Sequence, residues 1–255
     1  LVRSRGLGDV YKRQTINSPL GQMYGYVFDG VYQYSDFYQV AGSDQFILKP
    51  GVTDISEHAG TTVKPGMVKY KDIDGDGVIT TSDRTVIGNG IPKWYGGITN
   101  TFKYREFDLS FMLQFNYGND IYNATRLFAT QSQDERSNQL AEVADRWTPT
   151  HASNKVPSAK GYVKNELYSR FIEDGSFLRL KNVVLGYTIP NKWTKKAYIS
   201  RLRVYASAQN LFCISGYSGY DPEVSTASSN PMTPGLDWGA YPKSRIFTFG
   251  LEVQF

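Results

Sequence analysis

The sequence predicts an all-β fold, with antiparallel strands of a transmembrane β-barrel joined by short links on one side of a bilayer and long loops on the other. Three observations carry this expectation. In the last eleven residues, Arg245 to Phe255, the positions Phe247, Phe249, Leu251, Val253 and Phe255 are apolar while Thr248, Gly250, Glu252 and Gln254 are small or polar. Side chains alternate faces along a strand, so one face suits lipid and the other water, and the length suits a tilted crossing of about 9 to 11 residues. Phe107 to Tyr117 repeats the pattern, with Phe107, Leu109, Phe111, Leu113, Phe115 and Tyr117 opposite Asp108, Ser110, Met112, Gln114 and Asn116. The links then alternate in length. If the terminal strand ends on the periplasmic side, Arg105 to Glu106 and Asn191 to Ser200 lie inside, whereas Gly118 to Gly175 and Cys213 to Ser244 lie outside. That asymmetry belongs to transmembrane barrels, and loops this long are uncommon in compact soluble domains. The terminal segment taken alone also fits a half-buried edge strand of a soluble sandwich.

Composition narrows the classes. The 255 residues include 19 Tyr, 14 Phe and 24 Gly, in keeping with strands and turns. Mean hydropathy is −0.41, and no run of about 18 apolar residues exists to form a transmembrane helix. Of the net charge of +4, Leu1 to Gln14 supplies +3 through Arg3, Arg5, Lys12 and Arg13 against Asp9, which leaves no basic surface that argues for nucleic acid. This opening stretch lacks apolar periodicity and the apolar core of a signal peptide. It resembles a translated adaptor or assembly junction, so residues 1–14 are expected to be non-native and 15–255 to be the barrel portion. Cys213 is the only cysteine, which rules out an intrachain disulfide and a cysteine-based metal site. His58 and His151 have no ligand-like partner spacing.

In chain order, strands are expected over Trp94 to Tyr104 and Phe107 to Tyr117, then over Ser176 to Pro190, Leu202 to Phe212 and Arg245 to Phe255. In the third, Arg179 and Lys181 share the parity of Phe177 and Val183, a mixed face that weakens the alternation. Between the second and third, Leu140, Val143, Ala144 and Trp147 stand at helical spacing, predicting a short amphipathic helix over Ser137 to Trp147 that stops near Thr148 before Pro149.

Asp72 to Asp83 (DIDGDGVITTSD) places Asp72, Asp74, Asp76 and Asp83 at loop positions 1, 3, 5 and 12, Gly77 at 6, Val78 at 7 and Thr80 at 9. That is the oxygen-ligand layout of an EF-hand calcium loop, with the Val78 carbonyl as one ligand. Asp83 stands where Glu is usual and reaches less far, so the expected site is weak or water-assisted and braces a loop rather than sensing. The alternative is a solvated Asp-Gly turn that uses Gly75 and Gly77 for positive φ.

No Gly-x-Ser-x-Gly, His-Glu-x-x-His, phosphate-binding loop or Gly-x-Gly-x-x-Gly motif occurs, so the chain is not expected to be an enzyme. Four long stretches, Pro65 to Asn123, Phe171 to Pro190 (FIEDGSFLRLKNVVLGYTIP), Leu202 to Val224 (LRVYASAQNLFCISGYSGYDPEV) and Gly239 to Phe255 (GAYPKSRIFTFGLEVQF), resemble the carboxy-terminal part of SusC/RagA-type TonB-linked outer-membrane transporters. Gly21 to Gln33 (GQMYGYVFDGVYQ) is similar to the segment that precedes it. The resemblance implies a barrel of about 22 strands with a plugged lumen, of which this chain supplies the last few. It further implies TonB-dependent import of oligosaccharides or peptides across the cell outer membrane, with a SusD-like lipoprotein as lid. TonB would act through an amino-terminal region not visible here.

Several residue roles follow as expectations. The apolar rows of Phe107 to Tyr117 and Phe247 to Phe255 are candidates for lipid contact, with Trp94, Tyr104, Tyr117, Tyr187, Trp193 and Phe255 at headgroup level. Phe255 resembles the terminal signal read by the barrel-assembly machinery, though a terminal Phe can also simply pack. Trp147, Tyr162, Tyr217, Tyr220, Trp238 and Tyr241 are loop aromatics that could stack on a ligand, meet the lid or pack on the rim. Two other readings remain open: a passive porin or adhesin barrel, and a soluble calcium-braced carbohydrate-binding β module.

Overall fold

The computed structural model describes residues 19–131, 138–163, 166–226 and 234–255. The expected non-native segment 1–14 lies outside them. In chain order the strands are β1 (Gln22–Gly25), β2 (Phe28–Val31), β3 (Phe37–Gln39), β4 (Phe46–Leu48), β5 (Val68–Tyr70), β6 (Thr85–Asn89), β7 (Trp94–Tyr104), β8 (Phe107–Tyr117), β9 (Asp120–Asn123), β10 (Ile172–Asp174), β11 (Phe177–Ile189), β12 (Arg201–Ser215), β13 (Leu236–Asp237) and β14 (Ile246–Gln254). They fall into two compact units. Among the described residues, one comprises those of 19–91, 120–173 and 224–239, and the other Pro92–Asn119, Asp174–Glu223 and Ala240–Phe255.

The second unit is a five-stranded antiparallel meander ordered β14-β12-β11-β8-β7. Directly paired residues share a face, so the register shows what each side presents. Leu109 stands opposite Phe102 of β7 and Leu185 of β11, Leu185 stands opposite Ala206 of β12, and Ala206 stands opposite Phe249 of β14. The odd residues of β8 and β14 thereby lie in one continuous apolar face. The opposite face carries Asp108, Gly186 and Tyr205 in a corresponding row, with Arg203 and Glu252 paired two residues further along β12 and β14. Trp94 pairs with Tyr117 at one end of the apolar face, and Tyr104 with Phe107 at the other. Those 11 residues of β7, at a rise of roughly 3.3 Å and a tilt of about 40°, set the two aromatic rows about 25 Å apart.

A bulge resolves the mixed face of β11. The register shifts between Leu180 and Asn182, so Phe177 and Arg179 pair with Asn116 and Gln114 on the polar side, while Val183 pairs with Phe111 on the apolar side. Lys181 is the inserted residue, and its ammonium donates to Gln114 Oε1 at 2.7 Å. One extra residue flips the parity of everything beyond it, which keeps Arg179 and Lys181 out of the apolar face.

The polar face is cross-braced over three strands. Arg203 of β12 donates from Nε and Nη2 to the two oxygens of Asp108 on β8, at 3.0 and 2.6 Å. Strand β11 runs between them, and the pair meets above Gly186, where a Cβ would lie 2.5 Å from both Arg203 Nη2 and Asp108 Oδ1. Glycine is required there by close approach rather than by turn geometry.

The first unit packs a tyrosine-rich core. Tyr26, Tyr32, Tyr70, Tyr168 and Phe171 are fully buried with Met23, Ile55, Val68 and Ile79. Tyr26 stacks on Tyr70 with centroids 5.0 Å apart, and Tyr168 meets Phe171 edge-on at 5.1 Å. Burial pushes the phenols of Tyr70 and Tyr168 well above their ordinary range, so they stay neutral. Around this core lie the ribbons β1–β6, β2–β5 and β3–β4, and the sheet β10-β9-β13 in which β13 runs parallel to β9.

The helix expected over Ser137 to Trp147 is corrected. Ser137 lies outside the described residues, and the observed element is a 3₁₀ turn over Ala141–Asp145 that leaves Arg146 extended. Trp147 donates its N–H to the Val156 carbonyl at 2.9 Å, which draws the chain out of helical geometry. Glu142 in this turn accepts both Nε and Nη2 of Arg126, at 2.8 and 2.7 Å, tying it to the helix Ala124–Thr130.

Replacing Gly186 by Ala is expected to break the Asp108–Arg203 pair and destabilise the sheet by about 1–3 kcal/mol, an overpacking cost. The test is heat-dependent loss of folded receptor, in parental and Asp108→Gly backgrounds. An equal cost in both backgrounds would show that the close approach is not its origin.

Candidate functional site

The acidic loop is shaped by its own carboxylates. Asp72 accepts the Gly75 and Gly77 amides at 2.6 and 2.8 Å, Asp76 accepts Val78 N at 2.8 Å, and Asp74 accepts Asp76 N at 3.3 Å. Gly75 and Gly77 take φ of +81° and +86°, which favours glycine at both. The loop is fixed to the chain at Asp54, whose N–H donates to Gly77 O and whose carbonyl accepts Ile79 N, both at 2.8 Å. Ile79 is buried in the tyrosine-rich core, so the loop has a rigid base and an exposed tip.

Asp72, Asp74 and Asp76 are brought together, with ligand-capable oxygens within 4.8 Å of one another. Asp83 has a different task. It is fully buried and accepts Ile73 N and Thr80 N, each at 2.8 Å, closing the loop through a capping box with Thr80. Thr80 Oγ1 itself accepts Ser82 N at 3.1 Å. Of the six expected ligands, three carboxylates therefore cluster, while the side chains of Asp83 and Thr80 serve the backbone. Backbone donation from Gly77 and Gly75 holds the Asp72 carboxyl below its usual range. At Asp74 donation from Asp76 N pulls downward, but desolvation and the charges of Asp76, Asp83 and Asp72 together push the carboxyl upward. The tip thus concentrates negative charge that a hard cation would relieve.

The six loop aromatics divide. Trp147 is buried, with Nε1 donating to Gln33 Oε1 at 3.0 Å and its ring against Tyr34. Tyr162 packs against the tyrosine-rich core, and Tyr217 is buried with its ring over Gly219. Those three rings are committed to packing. Trp238 is half exposed against Phe128, whereas Tyr220 and Tyr241 are 82% and 91% exposed and free to meet a ligand. Phe255 follows β14 and is 87% exposed.

One cluster went unseen in the sequence. On the polar face of the sheet Arg179 is buried and pairs with Asp221, which also accepts the amides of Glu223 and Lys243 at 2.9 and 3.2 Å. Glu223 is bonded in turn by the Lys243 ammonium. Two stretches of the loop after β12 are thereby held to one arginine of β11. The signal that could have revealed it was Arg179 itself, a charge in an otherwise apolar-looking strand.

Comparison with known proteins places this geometry. No protein-family model matches the chain. It is 33% identical over 240 residues to TonB-dependent receptor P3 of Formosa agariphila, covering 92% of this chain and 22% of that protein. TonB-dependent receptor P39 of the same organism is 31% identical over 265 residues, covering 92% and 25%. TonB-dependent receptor SusC of Bacteroides thetaiotaomicron is 31% identical over 193 residues, covering 75% and 18%. The chain therefore spans about a fifth to a quarter of the length of these curated relatives. Among solved structures, the RagAB peptide importer in its closed-closed state matches with a TM-score of 0.63 at 22% identity, over 92% of this chain and 23% of that one. Its open-open state matches with a TM-score of 0.64 at 20% identity, over 95% and 24%. The fold is thus that of TonB-dependent barrel transporters, and the chain belongs to the TonB-dependent receptors of the SusC/RagA type, corresponding to a carboxy-terminal segment of one.

Proposed function

We propose that this chain forms part of the barrel wall of an outer-membrane importer that takes up oligosaccharides or peptides, is energised through TonB and works with a SusD-like lipoprotein as its lid. The observation that carries the reading is the two-faced sheet. One side is apolar between aromatic rows about 25 Å apart, the height of a bilayer-facing band, and the other is lined by Asp108, Arg203 and Gln114. Such a sheet separates lipid from an aqueous lumen. Of the six loop aromatics, exposed Tyr220 and Tyr241 are the ring faces most available to a sugar or peptide. The function is transport rather than catalysis. In a strain lacking the receptor gene, uptake of one oligosaccharide or peptide from a defined panel is expected to return with the full-length receptor and to vanish when TonB is removed. Restored uptake that persists without TonB would point to a passive pore instead.

Phe255 is assigned as the barrel-assembly signal, since it follows a two-faced terminal strand and its ring is free. Deleting it from the full-length receptor is expected to lower the amount of assembled barrel in the outer membrane several-fold. Unchanged assembly would count against the assignment.

The acidic loop is assigned as a weak calcium brace built on Asp72, Asp74 and Asp76. Binding in the range of about 10⁻⁴ to 10⁻³ M is expected for an extracellular module of this kind. Calorimetric titration of the folded receptor should give calcium heat that Asp74→Ala and Asp76→Ala each abolish, and a parent protein that gives none contradicts the brace.

A further inference from the structure

The end of the sheet that carries the short links is cationic and aromatic at once. Lys103, Arg105, Lys192, Lys195, Lys196 and Arg201 are all exposed there, and none makes an ion pair among the described residues. The acids of this end are Glu106, Asp108 and Glu252, and the last two already face Arg203. Aromatic rings stand among the cations. The Lys192 ammonium lies 5.6 Å from the Trp193 ring and the Arg105 guanidinium 5.4 Å from the Tyr104 ring. Trp193, Tyr198 and Tyr104 are 64%, 90% and 69% exposed.

Beside this end, the apolar face is hollow. A depression of about 570 Å³ lies between Leu185 and Tyr187 of β11 and Phe249 and Leu251 of β14, with Val204 and Ala206 of β12 between them. Ala206 stands in register with Leu185 on one side and Phe249 on the other, so a single methyl is flanked by two large side chains. The depression is open on its outer side and its walls are apolar. Tyr187, in its wall, is two residues from the end of β11, roughly 7 Å along the strand. An apolar trough therefore opens directly beside the Lys192 to Lys196 link.

We propose that this end of the sheet is a binding site for an anionic phospholipid, with an acyl chain in the Ala206 trough and the headgroup phosphate on Lys192, Lys195 and Lys196. The inference rests on the barrel-wall reading, because only a sheet facing hydrocarbon presents the trough to lipid. Charge complementarity selects the headgroup. The exposed Lys192, Lys195 and Lys196 of the link attract a phosphate that bears net negative charge, and the attraction is worth about fivefold in affinity per lysine near a membrane surface. Trp193 and Tyr198 suit the boundary between headgroup and chain, where an aromatic body meets apolar surface and its polar atom meets water. The site would hold the link against the periplasmic leaflet and fix the depth of the sheet.

The test uses the full-length receptor carrying this chain, purified in detergent and titrated with dioleoyl phosphatidylglycerol or dioleoyl phosphatidylcholine under native mass spectrometry. Phosphatidylglycerol is expected to be retained at least tenfold better. The combined Lys192→Ala, Lys195→Ala, Lys196→Ala variant should lose most of that preference, while Ala206→Phe, which fills the trough, should weaken retention of both lipids and leave their ratio unchanged. Equal retention of the two lipids by the parent, or a preference that survives loss of the three lysines, would overturn the inference. Competition by glycerol 1-phosphate as strong as by the intact lipid would reduce the site to a phosphate site and overturn the lipid assignment. Alkaline carbonate extraction separates the two levels. A receptor that stays in the membrane yet shows no lipid preference defeats this inference alone, whereas a receptor released by carbonate defeats the barrel-wall reading beneath it.

Discussion

A strand in hydrocarbon must find every backbone partner sideways, because no water is present to accept what a neighbour leaves unpaired, and unsatisfied groups cost several kcal/mol each. Its side chains must at the same time serve two solvents. Strands β8 and β11 meet both demands along almost their whole length and β12 over Leu202 to Gln209, each flanked there by antiparallel partners and presenting one apolar and one polar row. At the margins, β7 and β14 each have one partner among the described residues. Their outer edges are templates for further strands. The remaining features of the sheet follow from keeping the two rows apart.

The bulge at Lys181 and the bare Gly186 are devices of that kind. Were β11 to pair regularly through Lys181, with no bulge, the charges of Arg179 and Lys181 would share a side with Val183 and with the odd row of β8. With the bulge, Arg179 turns to the polar side and gathers Asp221, and through it Glu223 and Lys243, from the following loop. Gly186 leaves room for Asp108 and Arg203 to meet across an intervening strand, so the polar face is braced by a bidentate pair where simple strand neighbours could not reach. Both devices convert a charge that would be costly on the apolar face into one that organises the polar face.

The legibility of the chain tracks the length of its elements. The expected spans of β7 and β8 coincide with those observed, and β11, β12 and β14 differ only at their ends, because nine to fifteen residues of alternation leave little ambiguity. The tyrosine-rich unit was silent in the sequence. Its strands β1 to β6 are three to five residues long, too short for a period to emerge, and its core is assembled from residues as distant as Tyr26 and Tyr168. The stretch around Val143 showed helical spacing, yet Trp147 is committed to Gln33 and Val156, and that tertiary demand ended the turn after five residues. In the acidic loop the spacing located the cluster of Asp72, Asp74 and Asp76, but the inward capping role of Asp83 depends on backbone amides that spacing does not display.

The central claim is that β8 stands in a barrel wall with its odd residues in lipid and its even residues toward water. The most direct measurement is a cysteine scan of residues 107 to 117 in the full-length receptor, in native outer membranes, with Cys213 replaced by Ser and a membrane-impermeant maleimide as reagent. The account predicts labelling that alternates residue by residue, with Asp108, Ser110, Met112, Gln114 and Asn116 reactive and Leu109, Phe111, Leu113 and Phe115 protected. Uniform labelling, uniform protection or the inverted pattern would contradict it.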